Sequence, residues 1–320
     1  MAGKLTQPGL FGPEEIVPTS QLARRFGALP FDVFDARSDE WKKRKRAWIA
    51  LGVESQLGRD AIEGWNTRAH SNGLGEWLVR VDNKDSRTGF EHGWRTGHAV
   101  SVFDPVLAES IVELWSEPKA VVVDPFCGGS VRAIVSETLG RSYFGCDLRE
   151  RQVLENIKQS EAIGLAPRFI CADALEIEPP AHTLLFTCPP YGTLEKYGDD
   201  SRCLANMEFP RFIESLIAIL AKWSLKLSDG GFMVIVANNF REKQGGVYTA
   251  LRPMCGELAV RLPDAAGIEF WDECAFLTAL GTVPVRASHN WRTGRKLGRC
   301  WQRVLVFRKP TSTTRSTGEE

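Results

Sequence analysis

AVVVDPFCGGSVRAIVSETLG, Ala120 to Gly140, decides how the rest of this chain is read. Its β-branched run suits a strand buried on both faces of a parallel sheet. Asp124 and Pro125 end that strand, Gly128 and Gly129 permit a tight turn with close backbone approach to a ligand, and the residues from Val131 onward have helical character. Strand, glycine turn and helix together make the opening unit of a doubly wound α/β sheet, whose ligands sit beyond the carboxyl ends of the strands. Working outward, RSYFGCDL ends a second strand at Asp147, about nineteen residues past the glycines, and RFICADAL ends a third at Asp173. LLFTCPPYG, Leu184 to Gly192, ends a fourth at Cys188.

The turn at Ala120–Ser130 is not GxGxxG, and no phosphate-gripping lysine follows it, so a nucleoside ligand without pyrophosphate is favoured over a dinucleotide or a triphosphate. S-adenosylmethionine fits that description. Its amino acid part is expected over Phe126 to Gly129, its ribose at Asp147 and its adenine near Asp173. The cofactor-binding set expected from sequence is therefore Asp124, Pro125, Phe126, Cys127, Gly128, Gly129, Ser130, Asp147 and Asp173. The competing reading of each acid is a helix N-cap or turn former. In the fourth unit, Pro189 and Pro190 fix their own φ and lack a backbone donor, so the carbonyls at this turn remain available to accept from an amino group. Tyr191 adds a ring face for stacking. A rigid shelf of this kind suits a planar base, which makes Cys188, Pro189, Pro190 and Tyr191 the candidate catalytic residues.

With these two motifs, DPFCGGS and CPPY, the chain resembles the amino-methyltransferases of nucleic acids, and more closely the DNA methylases of phages and prophages. PFDVFDARSDEWKKRKRAWIALGVESQLGR, Pro30 to Arg59, and TCPPYGTLEKYGDDSRCLANM, Thr187 to Met207, carry the resemblance, which spans roughly residues 28 to 310. It implies a Rossmann-like class I methyltransferase fold with a seven-stranded, mostly parallel sheet and an antiparallel edge. It also implies double-stranded DNA as partner. Two departures stand out: Cys188 replaces the Asp, Asn or Ser of the wider class, and the glycine turn reads CGGS, which makes Ser130 an extra candidate donor to the ligand carboxylate.

At 320 residues the chain is long enough for one large domain with an attached module. Forty basic and forty acidic residues give zero net charge, so a nucleic-acid surface requires segregated charge. WKKRKRAW, Trp41 to Trp48, is one such segregation; the other is the stretch from Arg286 to Lys309, with eight Lys or Arg separated only by neutral residues. From these come the DNA-binding candidates Lys42, Lys43, Arg44, Lys45, Arg46, Arg292, Arg295, Lys296 and Arg299. By pattern alone the first run also reads as a solvated helix face. The second is expected to be a hairpin, with RTGRKLG as its polar loop and the last seven residues of RCWQRVLVF as its strand.

Eight cysteines without a CxxC pair or a cysteine-histidine cluster suggest neither a zinc site nor a disulfide framework, and Cys127, Cys146 and Cys171 are expected as small buried hydrophobes. No apolar segment approaches membrane-span length and no signal-peptide pattern opens the chain, so a cytoplasmic location is expected. The organisation expected is an entry arm over 1–27, a basic helical and loop-rich module over 28–97, a catalytic domain over 98–310 and a polar tail over 311–320. Arg80 to Gly97 is expected as a substrate-side loop.

The chemistry that follows is methyl transfer to an exocyclic amino group of adenine or cytosine flipped out of the duplex. Three alternatives remain open: carbon-5 methylation of a pyrimidine with Cys188 as covalent nucleophile, an RNA substrate, and a noncatalytic DNA-binding subunit.

Overall fold

The structure, a computed structural model, describes residues 31–53, 103–192, 197–244, 247–278, 280 and 283–311, with two short strand pairs nearer the N-terminus. Those pairs are Thr6–Gly9 (β1) against Gly12–Glu15 (β2), and Val79–Asn83 (β4) against Glu91–Arg95 (β5). The expected loop at Arg80–Gly97 is thus in part a hairpin, and the residues joining its strands lie outside the described set, as do most of the entry arm and tail.

A single eight-stranded sheet forms the centre. In chain order its members are Val33–Asp35 (β3), Val121–Asp124 (β6), Ser142–Asp147 (β7), Arg168–Cys171 (β8), His182–Thr187 (β9), Leu227–Ala237 (β10), Glu269–Leu277 (β13) and Trp301–Arg308 (β14). In space they run β3-β13-β14-β10-β9-β6-β7-β8, all neighbours parallel except at β14, which is antiparallel to both β10 and β13. Without β3 this is the seven-stranded, mostly parallel arrangement expected, with its antiparallel member towards one edge. The eighth strand comes from the N-terminal segment: Phe34 lies opposite Phe276, and the Ala36 amide bonds to the Leu277 carbonyl at 2.9 Å. Residues from the expected separate module are therefore built into the central sheet.

Strand alternation divides the core in two. Val122, Leu184, Phe186, Val234, Val236, Val304 and Val306 face one side, where Asp39–Ala50 (α1), Pro105–Trp115 (α2), Val131–Thr138 (α3) and Glu150–Ala162 (α4) supply the cover. Val123, Leu185, Met233, Ile235, Leu305 and Phe307 face the other, under Phe209–Ser224 (α5) and Met254–Ala266 (α6). Both faces are fully buried, which explains the unbroken apolar runs of the parallel strands. Two further strands, Phe240–Gln244 (β11) and Val247–Arg252 (β12), form a side hairpin after β10.

One expectation fails near the C-terminus. The hairpin read over Arg286–Lys309 is instead a helix, Val283–Gly294 (α7), followed by a loop and then β14. Pro284 sits in the first turn, where the missing amide donor costs nothing, and Gly294 stands at the end rather than inside a turn between strands.

Candidate active site

A cavity of about 450 Å³ opens at the carboxyl ends of β6, β7, β8 and β9, where the chain's two winding directions diverge. Pro125, Phe126, Gly128, Asp147 and Asp173 line it, and so do Cys188, Pro189, Pro190 and Tyr191. The two motifs, separated by about sixty residues in sequence, thus share one space.

The glycine turn is held from several directions. Gly128 adopts φ +48°, a left-handed conformation open to glycine without penalty. Its amide donates to Asp147 Oδ2 at 3.1 Å and its carbonyl accepts from Asn156 Nδ2 at 2.6 Å. Asn156 is itself fixed by Gln152 on the same face of α4, at 3.0 Å. Asp147 also accepts from the Arg149 amide at 2.8 Å through its other oxygen, so backbone donors aim the carboxylate. Asp173 accepts from the Leu175 amide at 2.9 Å, while the buried indole of Trp223 holds the neighbouring Ala174 carbonyl at 2.9 Å from the opposite face of the sheet.

Asp124 does something different from what its place in the motif suggests. It is fully buried and absent from the cavity wall. Its carboxylate accepts from Arg132 Nε at 2.6 Å, Tyr143 Oη at 2.8 Å, Thr187 Oγ1 at 2.6 Å and the Phe126 amide at 3.0 Å. Those partners belong to α3, β7, β9 and the turn, so Asp124 is the clamp that fixes the turn's frame. Burial opposes the charge of Arg132, but the adjacent Asp124 carboxylate outweighs it and the guanidinium is held well above its ordinary value. The same arginine donates to the Phe126 and Cys127 carbonyls, at 2.8 and 3.0 Å, and lies 4.8 Å from the Phe103 ring centroid. Burial, then the Asp124 charge, pushes the Tyr143 phenol up, so it remains a donor.

Three more expected cofactor contacts are displaced. Cys127 is buried, with its amide on the Cys146 carbonyl at 2.9 Å, and its thiol is raised first by burial and then by Asp147. Ser130 is buried with its hydroxyl on Gln159, facing α4 rather than a ligand. Gly129 is not part of the wall either. Among the cysteines, Cys146 is buried as expected, whereas Cys171 is exposed, because it ends the outermost strand.

At the other end, Cys188 is half-buried with its sulfur 3.9 Å from the Tyr191 hydroxyl. That hydroxyl accepts from Gln302 Nε2 at 3.2 Å, bringing β14 into the site. Gln302, Thr278, Phe103 and Arg149 all line the cavity and were not singled out from sequence, and Lys45, expected on DNA, lines it too. Arg149 was the readable one, two residues past a strand-ending acid. Burial lowers its pKa, against the pull of Asp147.

The basic run forms α1, capped by the Ser38 hydroxyl. Trp41, Arg44, Lys45 and Trp48 recur at helical spacing on its inner face. Trp41 Nε1 donates to Asp104 at 3.1 Å and Trp48 Nε1 to Glu109 at 2.9 Å; Lys45 pairs with Asp104 at 2.9 Å and Arg44 with Glu109 at 2.5 Å. Two of the five expected DNA contacts, Arg44 and Lys45, are thereby committed to carboxylates within and capping α2, whereas Lys42, Lys43 and Arg46 are exposed. Arg292, Arg295 and Arg299 are exposed on α7 and the loop after it, with Lys296 partly buried.

Strand order, switch-point cavity and acid-bearing strand ends together define a Rossmann-like, doubly wound α/β fold with a ligand site at its switch point. Residues 29–158 match the family model described as DNA methylase, of the N6/N4 type. A search of curated proteins finds no match. Among solved structures, the chain is similar to magnesium protoporphyrin IX methyltransferase from Synechocystis PCC 6803 with bound S-adenosylmethionine, at 13% identity over 64% of this chain and 79% of that one, TM-score 0.41. It is similar to an S-adenosylmethionine-dependent methyltransferase from Clostridium acetobutylicum ATCC 824, at 11% identity over 65% and 90%, TM-score 0.41. A third is an S-adenosylmethionine-dependent methyltransferase from Methanosarcina mazei, at 12% identity over 63% and 98%, TM-score 0.42. The residues present fit S-adenosylmethionine: a carboxylate oriented at Asp147, a glycine turn whose Phe126 and Gly128 line the cavity, and a recess beside Asp173 and Ala174. Among the described residues no helix is long and apolar enough to cross a membrane, and no group of side chains is arranged to hold a metal ion.

Proposed function

We propose that this protein methylates an exocyclic amino nitrogen of adenine or cytosine in double-stranded DNA. The observation that carries the reading is the single cavity joining the glycine turn to the Cys188–Tyr191 shelf, in a chain whose residues 29–158 match a DNA methylase family. When bound, S-adenosylmethionine supplies an already activated methyl group, so the protein's own residues need only bind, orient and exclude water. Phe126, Gly128, Asp147 and Asp173 hold it. A base swung out of the duplex stacks on Tyr191, whose ring is steadied through its hydroxyl by Gln302. The carbonyls at Cys188 and Pro189 accept from the amino group and turn its lone pair towards the methyl. The exposed cations Lys42, Lys43, Arg46, Arg292, Arg295 and Arg299 contact backbone phosphates.

One observation favours a second reading. Cys188 is a cavity-lining thiol within the shelf; as a thiolate it attacks carbon 6 of a pyrimidine, carbon 5 takes the methyl, and loss of the carbon-5 proton to a base or to water expels the thiolate. Methylated DNA digested to nucleosides, separated by chromatography against standards and weighed distinguishes N6-methyladenine from the two cytosine products by mass, and N4-methylcytosine from its isomer 5-methylcytosine by retention. Cys188→Ser sharpens the result: it keeps a small acceptor and substantial activity under amino transfer, and abolishes turnover under covalent attack. DNA containing 5-fluorocytosine adds a covalent adduct only in the second case. Absence of any methylated nucleoside would reject both readings.

A further inference from the structure

Base flipping leaves a vacancy in the duplex, and an enzyme that holds the base out gains if something of its own fills the hole. The loop between α7 and β14 carries a side chain placed for this. Leu297 is 74% exposed. Exposure alone says little, since Val260 and Leu225 are equally open, but neither lies in a loop built like this one. The Arg295 amide bonds to the Trp291 carbonyl at 2.9 Å with Arg295 at φ +49°, and the Lys296 amide bonds to the Asn290 carbonyl at 3.2 Å, so the chain leaves α7 through a fixed left-handed cap. Gly298 lies so close to α7 that a Cβ there would fall 2.7 Å from Val283 and 3.3 Å from Ala287. Beyond it, Arg299 Nη1 donates to Asn238 Oδ1 at 2.6 Å, and the Cys300 carbonyl accepts from the Thr278 amide at 2.8 Å. Thr278 and Gln302 both line the cavity. The loop is therefore tied at both ends, joins the rim of the candidate active site, and presents an apolar tip between Arg295 and Arg299, with Arg292 close by in sequence.

We propose that Leu297 is an intercalating wedge that enters the base stack at the flipped nucleotide, with the flanking arginines on the adjoining phosphates. The occupant is duplex DNA. Charge argues for it: from Arg286 to Lys309 there is no acidic residue, whereas an apolar protein partner gives no reason for an uninterrupted series of cations around one leucine. The inference rests on the DNA reading given above and adds to it the residue that stabilises the extrahelical state.

The test uses the full chain, radiolabelled S-adenosylmethionine, and DNA from a methylation-deficient host, either native or heat-denatured and kept single-stranded. Leu297→Ala is compared with Leu297→Met, which keeps an apolar wedge. Leu297→Ala is expected to lose about ten-fold or more in kcat/KM on native DNA, the scale set by unstacking a base step, while activity on denatured DNA stays within about two-fold of wild type. Leu297→Met retains most duplex activity. S-adenosylmethionine affinity and thermal unfolding stay unchanged in both variants, which excludes a merely structural effect. Equal losses on the two DNA forms, or no loss on either, overturn the wedge while leaving DNA methylation standing. A wild-type enzyme active only on single strands also overturns it. A wild-type enzyme that labels neither form overturns the DNA reading, and the wedge with it.

Discussion

Asp124 and Asp147 end neighbouring strands of one sheet, yet the structure gives them opposite work, and Asp124→Asn is the perturbation that separates them. Asp124 is 0% exposed and Arg132 is almost as deeply buried, so neutralising the carboxylate strands a buried guanidinium without its counter-charge. Breaking such a pair from one side costs about 3–5 kcal/mol, several times the worth of a surface pair. The amide also sets its own donors against Tyr143 Oη or Arg132 Nε, both of which are donors already. Urea unfolding followed by tryptophan fluorescence measures the loss, with Arg132→Met and the double variant completing a cycle. The double variant removes the stranded cation, so the coupling energy is expected at about 2–3 kcal/mol in its favour. Cofactor affinity falls in Asp124→Asn only because Arg132 no longer holds the Phe126 and Cys127 carbonyls. If Asp124→Asn is as stable as wild type, or if the two single effects simply add, the clamp described here is wrong.

Asp147→Ala is expected to reverse that pattern: stability is nearly kept and S-adenosylmethionine binding weakens by about 1–3 kcal/mol, read by calorimetry, because a half-exposed turn acid gives up ligand contacts rather than core contacts. Changing Lys42, Lys43 and Arg46 to Gln should lower the log-log salt slope of DNA binding by up to about 2.7, roughly 0.9 per phosphate contact removed; an unchanged slope makes that face a solvated one. Arg44→Gln, in contrast, should cost stability and leave the slope alone, because Arg44 answers the buried Glu109. His182 sets an acid limit. Burial, with a smaller push from Lys309, takes its pKa down to about 4, although its Nδ1 is bonded to the Pro180 carbonyl at 2.8 Å. The unfolded chain takes up a proton near pH 6.5 and the folded chain does not until about 4, so stability falls as pH drops through that window, by up to about 3 kcal/mol. His182→Gln should flatten the slope of unfolding free energy against pH between those values, and an unaltered slope would assign the acid loss elsewhere.

Much of the candidate site was legible in the chain. A β-branched run, a glycine turn and a strand-ending acid have local causes, so β6, β7, β8 and the Cys188–Tyr191 turn are found where composition and spacing put them. What stayed hidden depends on partners distant in sequence. Nothing near Asp124 announces Tyr143 or Thr187, and it is those residues that turn a presumed ligand contact into a clamp. The basic run was read by its charge. Its spacing, with Trp41, Arg44, Lys45 and Trp48 on one face, held the better clue, but the acids that answer it lie on α2, some sixty residues away. For α7, Gly294 and Gly298 suggested a turn, while Pro284 is better taken as a helix start. Gln302 enters the site through the antiparallel pairing of β14 with β13, where it lies opposite Phe276, a pairing that no local pattern encodes.

The parallel pairing of β3 with β13 has a consequence for biosynthesis. Phe276, the partner of Phe34 across the sheet, is made roughly 240 residues after it. At 5–20 residues per second β3 waits about 12–50 s for its neighbour. During that interval α1, with its two indoles, can dock on α2, whose residues follow much sooner. The early helix then serves as a tether, keeping an otherwise orphaned strand close to the nascent sheet until the last third of the polypeptide arrives to close it.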